Sequence, residues 1–309
     1  MKKTPKFSLN GISICIAMLL ANLCHAQQRV QFTQYMFNNL IINPAYAGAD
    51  EALSITFINR SQWTGVKNAP QTQTLSVHTL LTNKRMGLGM TLQNDRLGAQ
   101  KNMNGLLVYS YHIKTGPNSV LSMGLQAGFN NSKRDYASLT GSANDPQVNS
   151  LFISKTTFDF GAGFYFRAKD FRAGLSSPSM ITDRINLNDS VRVTLMTRNI
   201  FGFLSYVIKI HNDVDMMPST LIKYTPNLPV GFDINMNFIY RKILTMGLSY
   251  RHKESVDFML KAKVTPLLQF GYAYDHPIGV VNTISNGSHE LMVNYLFRPQ
   301  QKKEYRPRR

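Results

Sequence analysis

Cysteine is missing from the whole chain beyond residue 26, because Cys15 and Cys24 are its only two. If the first 26 residues are removed, disulfide scaffolds and thiol chemistry are excluded together. Long hydrophobic runs are also missing: after residue 26 no stretch reaches the ~18–20 apolar residues of a membrane helix, which excludes a helical membrane protein. Acidic residues are scarce, 17 against 34 Lys+Arg, and charged residues make up only 17% of the chain, below the roughly 25% usual for soluble domains. Aromatics at 11% without long charge runs argue against general disorder. Catalytic signatures are absent as well. The sequence has no phosphate loop, HExxH, GxSxG or CxxC, and an enzyme is not expected.

The N-terminus reads as an address. Lys2, Lys3 and Lys6 precede an apolar stretch from Ile12 to Leu23, and Cys24-His25-Ala26 sets small residues before Gln27. This is the layout of a secretory signal peptide (residues 1–26) cleaved between Ala26 and Gln27. A lipoprotein signal fits poorly, since Leu23 precedes Cys24. Loss of the three lysines lowers the net charge from +17 to +14. For an exported chain, that balance points to acidic surfaces outside the cytoplasm, not to nucleic acid.

The rest of the chain alternates. Phe158, Phe160, Ala162, Phe164 and Phe166 interleave with Asp159, Gly161, Gly163 and Tyr165; Phe232, Ile234, Met236 and Phe238 interleave with Asp233, Asn235 and Asn237. Strand side chains point to opposite faces in turn, so each such segment has one apolar face and one polar or small face. About fourteen segments follow this pattern, near residues 52–60, 71–80, 85–94, 104–113, 119–129, 158–168, 170–176, 199–209, 216–224, 230–239, 243–251, 257–264, 267–274 and 289–297. Most have the ~9–11 residues of a tilted bilayer-crossing strand. Connections after the first, third, fifth, seventh and thirteenth segments read as long; those after the second, fourth, sixth, eighth, tenth and twelfth read as short.

The pattern predicts an all-β fold: a transmembrane antiparallel β-barrel of about 14 strands over residues 51–297, with short periplasmic turns and longer extracellular loops. A soluble β-sandwich also alternates, but its turns need not sort by side. Residues 27–50 do not alternate, and either plug the lumen or lie beneath the barrel in the periplasm. Residues 298–309, with six basic residues and one acidic, form a basic periplasmic tail. An even strand count predicts both termini in the periplasm and the protein in the outer membrane.

Candidate sites are few. Gly87-Leu88-Gly89 and Gly161-Ala162-Gly163 begin like a dinucleotide fingerprint, but period-two glycine inside a strand thins the lumen face. His211, Asp213 and Asp215 could bind a cation, yet a solvated turn accounts for them better. His289-Glu290 could pair catalytically, although a rim hydrogen bond is the simpler reading. Asp159, Arg167, Asp233, Lys261 and Lys263 are expected to brace the interior. Trp63, the one tryptophan, is expected to anchor in the lipid interface or, failing that, to contact a partner. Tyr295 and Phe297 close the last strand with an aromatic-ended apolar face, a candidate barrel-assembly signal.

Residues 31–38 (QFTQYMFN) followed by 42–48 (INPAYAG) resemble the opening signature of the PorP/SprF family of outer-membrane proteins, which belong to the type IX secretion system of Bacteroidetes. Residues 59–63 (NRSQW), 69–76 (APQTQTLS), 94–98 (NDRLG), 247–251 (GLSYR), 271–275 (GYAYD) and 287–292 (GSHELM) extend the likeness over essentially the whole exported chain. The resemblance implies a role without catalysis, cofactor or metal. It implies assistance in secretion or surface attachment of cargo proteins carrying a type IX C-terminal signal, gliding adhesins among them, beside the periplasmic ring and its associated proteins. Asn43, Pro44, Gly48, Arg60, Gln62 and Trp63 are then candidate partner contacts. The alternative is a general porin or small-solute channel, narrower than the 16–18-stranded porins.

Overall fold

The computed structural model describes residues 30–82, 85–135, 152–186 and 192–298. The strands are β1 (Leu53–Ser61), β2 (Gln71–Leu80), β3 (Met86–Leu97), β4 (Gln100–Gly116), β5 (Ser119–Asp135), β6 (Phe152–Ala168), β7 (Phe171–Ser179), β8 (Asp183–Asn186), β9 (Arg192–Met196), β10 (Asn199–Tyr206), β11 (Ile208–His211), β12 (Val214–Tyr224), β13 (Gly231–Tyr240), β14 (Leu244–Arg251), β15 (Ser255–Lys263), β16 (Leu268–Pro277) and β17 (Ser288–Phe297). Each wall strand pairs antiparallel with the next. β1 closes on β17, and β10 joins β7 to β12.

β10 and β11 act as one wall strand, which makes the closed wall fourteen strands. The break has a local cause. Pro218 has no N–H to give a neighbour; β12 pairs with β10 only as far as Ser219 and resumes with β11 at Met216. On the other side of the strand Val207 donates to the Asp170 carbonyl at 2.8 Å, in line with the β7 pairing. β8 and β9 form a separate hairpin between β7 and β10, too short for its alternation to stand out in the sequence.

The faces sort as the alternation requires. Phe57, Leu107, Leu125, Phe164, Ile234, Phe258 and Leu291 are exposed on the outside, whereas Thr56, Ser110, Asp159, Asp233, Asn235 and Glu290 are buried inside. Connections at one rim are tight: Asn118 and its neighbour join β4 to β5, Lys169-Asp170 joins β6 to β7, and Asn212-Asp213 joins β11 to β12. Those at the opposite rim include residues 62–70, 278–287 and the segment carrying β8 and β9. One expected long loop is not long: β3 and β4 extend until only Gly98-Ala99 separates them. Together β3–β6 form a wall that rises above the rest of the long-loop rim.

Residues 30–50 run inside the barrel. Gln31 lies at the long-loop rim, where its side-chain oxygen accepts from Lys223 at 2.5 Å and its Nε2 donates to Glu254 at 3.4 Å. Ala49 lies near the short-turn rim, where its carbonyl accepts from Arg167 at 2.6 Å. The expectation that both termini share one side concerns chain ends that lie outside the described residues. Leu53 and Arg298 do lie at the same rim, as an even strand count demands, but the segment ahead of β1 threads the lumen and places Val30 at the other rim.

Tyr295 and Phe297 project outward at the short-turn rim, with Phe297 opposite Leu53. Phe297→Asp puts a charge near the lipid interface, at a direct cost of up to ~1 kcal/mol. We expect a larger loss of assembled protein than that cost alone explains, because the aromatic end of the last strand is removed. Quantifying the variant in outer-membrane fractions checks this; wild-type levels would contradict it.

Candidate functional site: the plugged lumen and its vestibule

The plug has little regular structure of its own. Two short 3-10 turns, Asn39–Ile41 and Pro44–Tyr46, are its only helical pieces. Asn43 sets up the second: its side chain accepts from Ala45 N at 2.9 Å, and Pro44 follows at the first position, where its fixed φ and missing N–H carry no penalty. Gly48 then turns the chain with φ +81°, its Cα side packed against Gly87, Leu80 and His112. A side chain at such a φ is strained.

With so little internal bonding, the plug's polar backbone has to be satisfied by the wall. Thr33 and Gln34 donate their backbone N–H groups to the two oxygens of Glu290, each at 2.9 Å. The Ile42 carbonyl accepts from Ser176 at 2.6 Å, and the Ala47 carbonyl accepts from Ser110 at 2.6 Å. Asn43 Nδ2 donates to the Phe164 carbonyl at 2.8 Å, Asn38 to Ser76 at 3.0 Å, and Gly48 N to His78 Nδ1 at 3.1 Å. Tyr35 meets Phe203 edge-on and accepts from Asn235, while Lys261 sits 4.2 Å from the Phe37 ring centre. With Lys223 of β12, these contacts reach nine of the fourteen wall strands; Thr33 adds β1, β14 and β16 through Arg60, Arg251 and Asp275, and close approach to Gly87 and Gly124 adds β3 and β5.

One glycine of each wall pair, Gly87 and Gly163, belongs to this interface, together with Gly124 and Gly271. A Cβ on Gly124 would fall on the backbone of Pro44 and Ala45, one on Gly87 on the Ala47 carbonyl, one on Gly163 on the Asn43 side chain, and one on Gly271 on the Gln34 side chain. Thinning the lumen face is thus what lets the plug in.

A charge cluster locks the upper end. Arg60 is fully enclosed and pairs with Asp275 at 2.6 Å and Glu290 at 2.9 Å. Arg251 lies 3.5 Å from Asp275, 3.6 Å from Asp257 and 3.6 Å from Asp233, and Lys223 pairs with Asp233 at 2.8 Å. Thr33 donates its hydroxyl to Asp275 at 2.7 Å and accepts from Arg60 and Arg251. Four wall carboxylates face three cations. The plug's N–H groups on Glu290 and its hydroxyl on Asp275 supply the remaining stabilisation, as charge-assisted bonds do.

The sequence candidates fall into two groups. Asn43, Pro44, Gly48 and Arg60 all turn inward and hold the plug. Gln62 and Trp63 line a cavity of about 580 Å³ at the long-loop rim, above the plug. Trp63 stands at the mouth of this vestibule and is partly exposed. His289 and Glu290 point to opposite faces: Tyr272 bonds His289 at 2.7 Å outside, while Glu290 is buried inside. Asp213 pairs with Arg241 at 3.2 Å, and no group of metal-ligating side chains occurs among the described residues. Arg251, Asp257 and Asp275 were not singled out in the sequence, although their inward parity beside Arg60 carries the signal.

Among solved structures, the chain is similar in fold to the CymD monoaromatic hydrocarbon channel, at TM-score 0.50 and 9% identity over 84% of this chain and 92% of that one. Two further similar structures are Omp33 of Acinetobacter baumannii, at 0.48 and 8% over 80% and 98%, and a Pseudomonas aeruginosa FadL homologue, at 0.47 and 12% over 82% and 92%. At such identities the likeness is one of fold. No curated protein matches the sequence. The family model described as "Type IX secretion system membrane protein PorP/SprF" matches residues 24–295. With that match spanning nearly the entire chain, the protein is an outer-membrane β-barrel that belongs to the PorP/SprF family of the type IX secretion system.

Proposed function

We propose that the protein assists secretion or surface attachment of cargo proteins bearing a type IX C-terminal signal, gliding adhesins among them, as a closed companion of the export machinery. The observation that carries this reading is the occupied lumen in a chain of this family: a barrel whose interior is bonded to its own N-terminal segment on all sides is not built as a conduit. Its role is therefore non-enzymatic and made of contacts. In this reading the long-loop rim faces outward and the short-turn rim faces the periplasm. The basic tail, residues 298–309, then lies on the periplasmic side, where charge draws it to the ring or its associated proteins; most of the tail lies outside the described residues.

Deleting the gene is expected to abolish surface display of one or a few large type IX substrates while leaving small-solute uptake unchanged. Surface labelling of the deletion strain, with the substrates identified by mass, measures this. Normal display of every type IX substrate would refute the reading.

A further inference from the structure

Above the plug, the tall wall carries two rungs of polar side chains that the charge cluster does not use. The register sets Thr74, Gln93, Asn104, Asn130 and Thr157 in line across five strands, and Thr72, Asp95, Asn102, Ser132 and Lys155 in line on the next inward row. The second row is internally bonded: Thr72 donates to Asp95 at 2.7 Å, Ser132 donates to Asn102 at 2.9 Å, and Lys155 donates to Asp183 at 2.6 Å. In the first row Asn130 donates to Ser132 at 3.2 Å and Thr157 to Asp183 at 2.5 Å, which leaves the two amides next to them. Gln93 and Asn104 lie side by side, half-buried, their side chains without a hydrogen-bond partner among the described residues, and both line the vestibule. Trp63 lines the same cavity, held in the left-handed region at φ +50°, a conformation that is costly for a bulky residue and is found where the surroundings enforce it.

We propose that this vestibule is a binding site for a short, uncharged oligosaccharide, with Trp63 as the stacking surface and Gln93 and Asn104 as the hydroxyl-reading groups. An amide presents donors and an acceptor on one group, matching hydroxyls that both donate and accept. An indole offers a flat apolar face with a polar edge, matching the C–H face of a pyranose ring. Charge selects a neutral ligand: the cavity lining holds four Arg or Lys residues and four Asp or Glu residues. The size, about 580 Å³, falls within the ~300–1,000 Å³ of enclosed small-ligand sites. The plug closes the cavity below, so it is a cup and not a channel. An extended polypeptide fits less well. It would bind by adding to a strand edge; β3, β4 and β5, which carry the amides, are already paired on both sides, and the free edges at this cavity belong only to the short β8–β9 hairpin.

The chain's single tryptophan makes Trp63 its own reporter. The assembled protein, in a detergent without a sugar headgroup, is titrated with maltotriose, cellotriose, mannotriose, chitotriose, trigalacturonate and an unstructured Ser/Asn-rich peptide while tryptophan emission is followed. A saturable shift with at least one neutral trisaccharide is expected, weakened about tenfold in Gln93→Ala or Asn104→Ala. The outward-facing Asn131→Ala should leave it unchanged. Folding of each variant is checked by its heat-modifiable mobility on gels. The proposal is overturned if no neutral trisaccharide binds, if only trigalacturonate or the peptide binds, or if the folded amide variants bind as wild type does.

Discussion

Replacing Arg60 by alanine is expected to release the plug and convert a closed barrel into a conducting one. Arg60 is buried between Asp275 and Glu290, at 2.6 and 2.9 Å, and also donates to Thr33 of the plug at 3.1 Å. Removing one partner of a buried ion pair costs about 3–5 kcal/mol, because the remaining charges stay buried without compensation. Arg251, 3.5 Å from Asp275, relieves part of that deficit, but nothing else positive reaches Glu290 among the described contacts. Water entering the upper lumen is the cheapest way to solvate Glu290, and water there competes with the N–H groups of Thr33 and Gln34. A loss of about 3 kcal/mol raises the released fraction roughly a hundredfold. Proteolysis within residues 30–50 should speed up accordingly, and open-channel time in planar bilayers should rise. Arg60→Lys should fall between, since an ammonium keeps the charge but cannot span both carboxylates as a planar fork does. If Arg60→Ala is as protease-resistant as wild type, the cluster is not what holds the plug.

Gly124→Val should act from β5, four strands round the wall from Arg60, and with comparable force. The added Cβ would land on the backbone of Pro44 and Ala45. Neither side can yield by turning a side chain, because both contacts are main chain. Overpacking a well-filled interior usually costs ~1–3 kcal/mol; a clash of backbone on a strand fixed by two neighbours belongs at or above the top of that range. Gly202 is the control, since a Cβ there meets only Ile222 at 3.9 Å and Gly202→Ala should be near neutral. Thermal unfolding followed by gel mobility, together with plug proteolysis, separates the two. Equal behaviour of both variants would show that the plug does not sit on Gly124.

The barrel was readable because period two leaves a mark on every strand. All fourteen wall segments lie where the alternation puts them, from Leu53–Ser61 to Ser288–Phe297. Strand ends were less readable. β3–β6 run on past the apolar band into polar residues such as Lys101, Asn131 and Lys133, where alternation no longer contrasts apolar with polar. Pro218 did mark a fault in the wall, but its consequence, the gap at Val207, lies on a neighbouring strand. The site was readable only in part. Asn43, Pro44, Gly48 and Arg60 stood out, but what they touch is remote in the chain: Gly163 for Asn43, Gly124 for Pro44, Glu290 for Arg60. A lone inward glycine or carboxylate looks the same whether it faces water or a plug, so the threaded N-terminal segment and the position of Val30 required the three-dimensional structure.

Single-channel recording of the unmodified protein in a planar bilayer tests the central claim most directly. Plug contacts from Gln31 to Ala49 that reach every wall strand predict a baseline close to that of the bare membrane, broken at most by brief openings, with Arg60→Ala as the leaky reference. A large, steady conductance from the unmodified barrel would contradict the closed lumen and favour a porin.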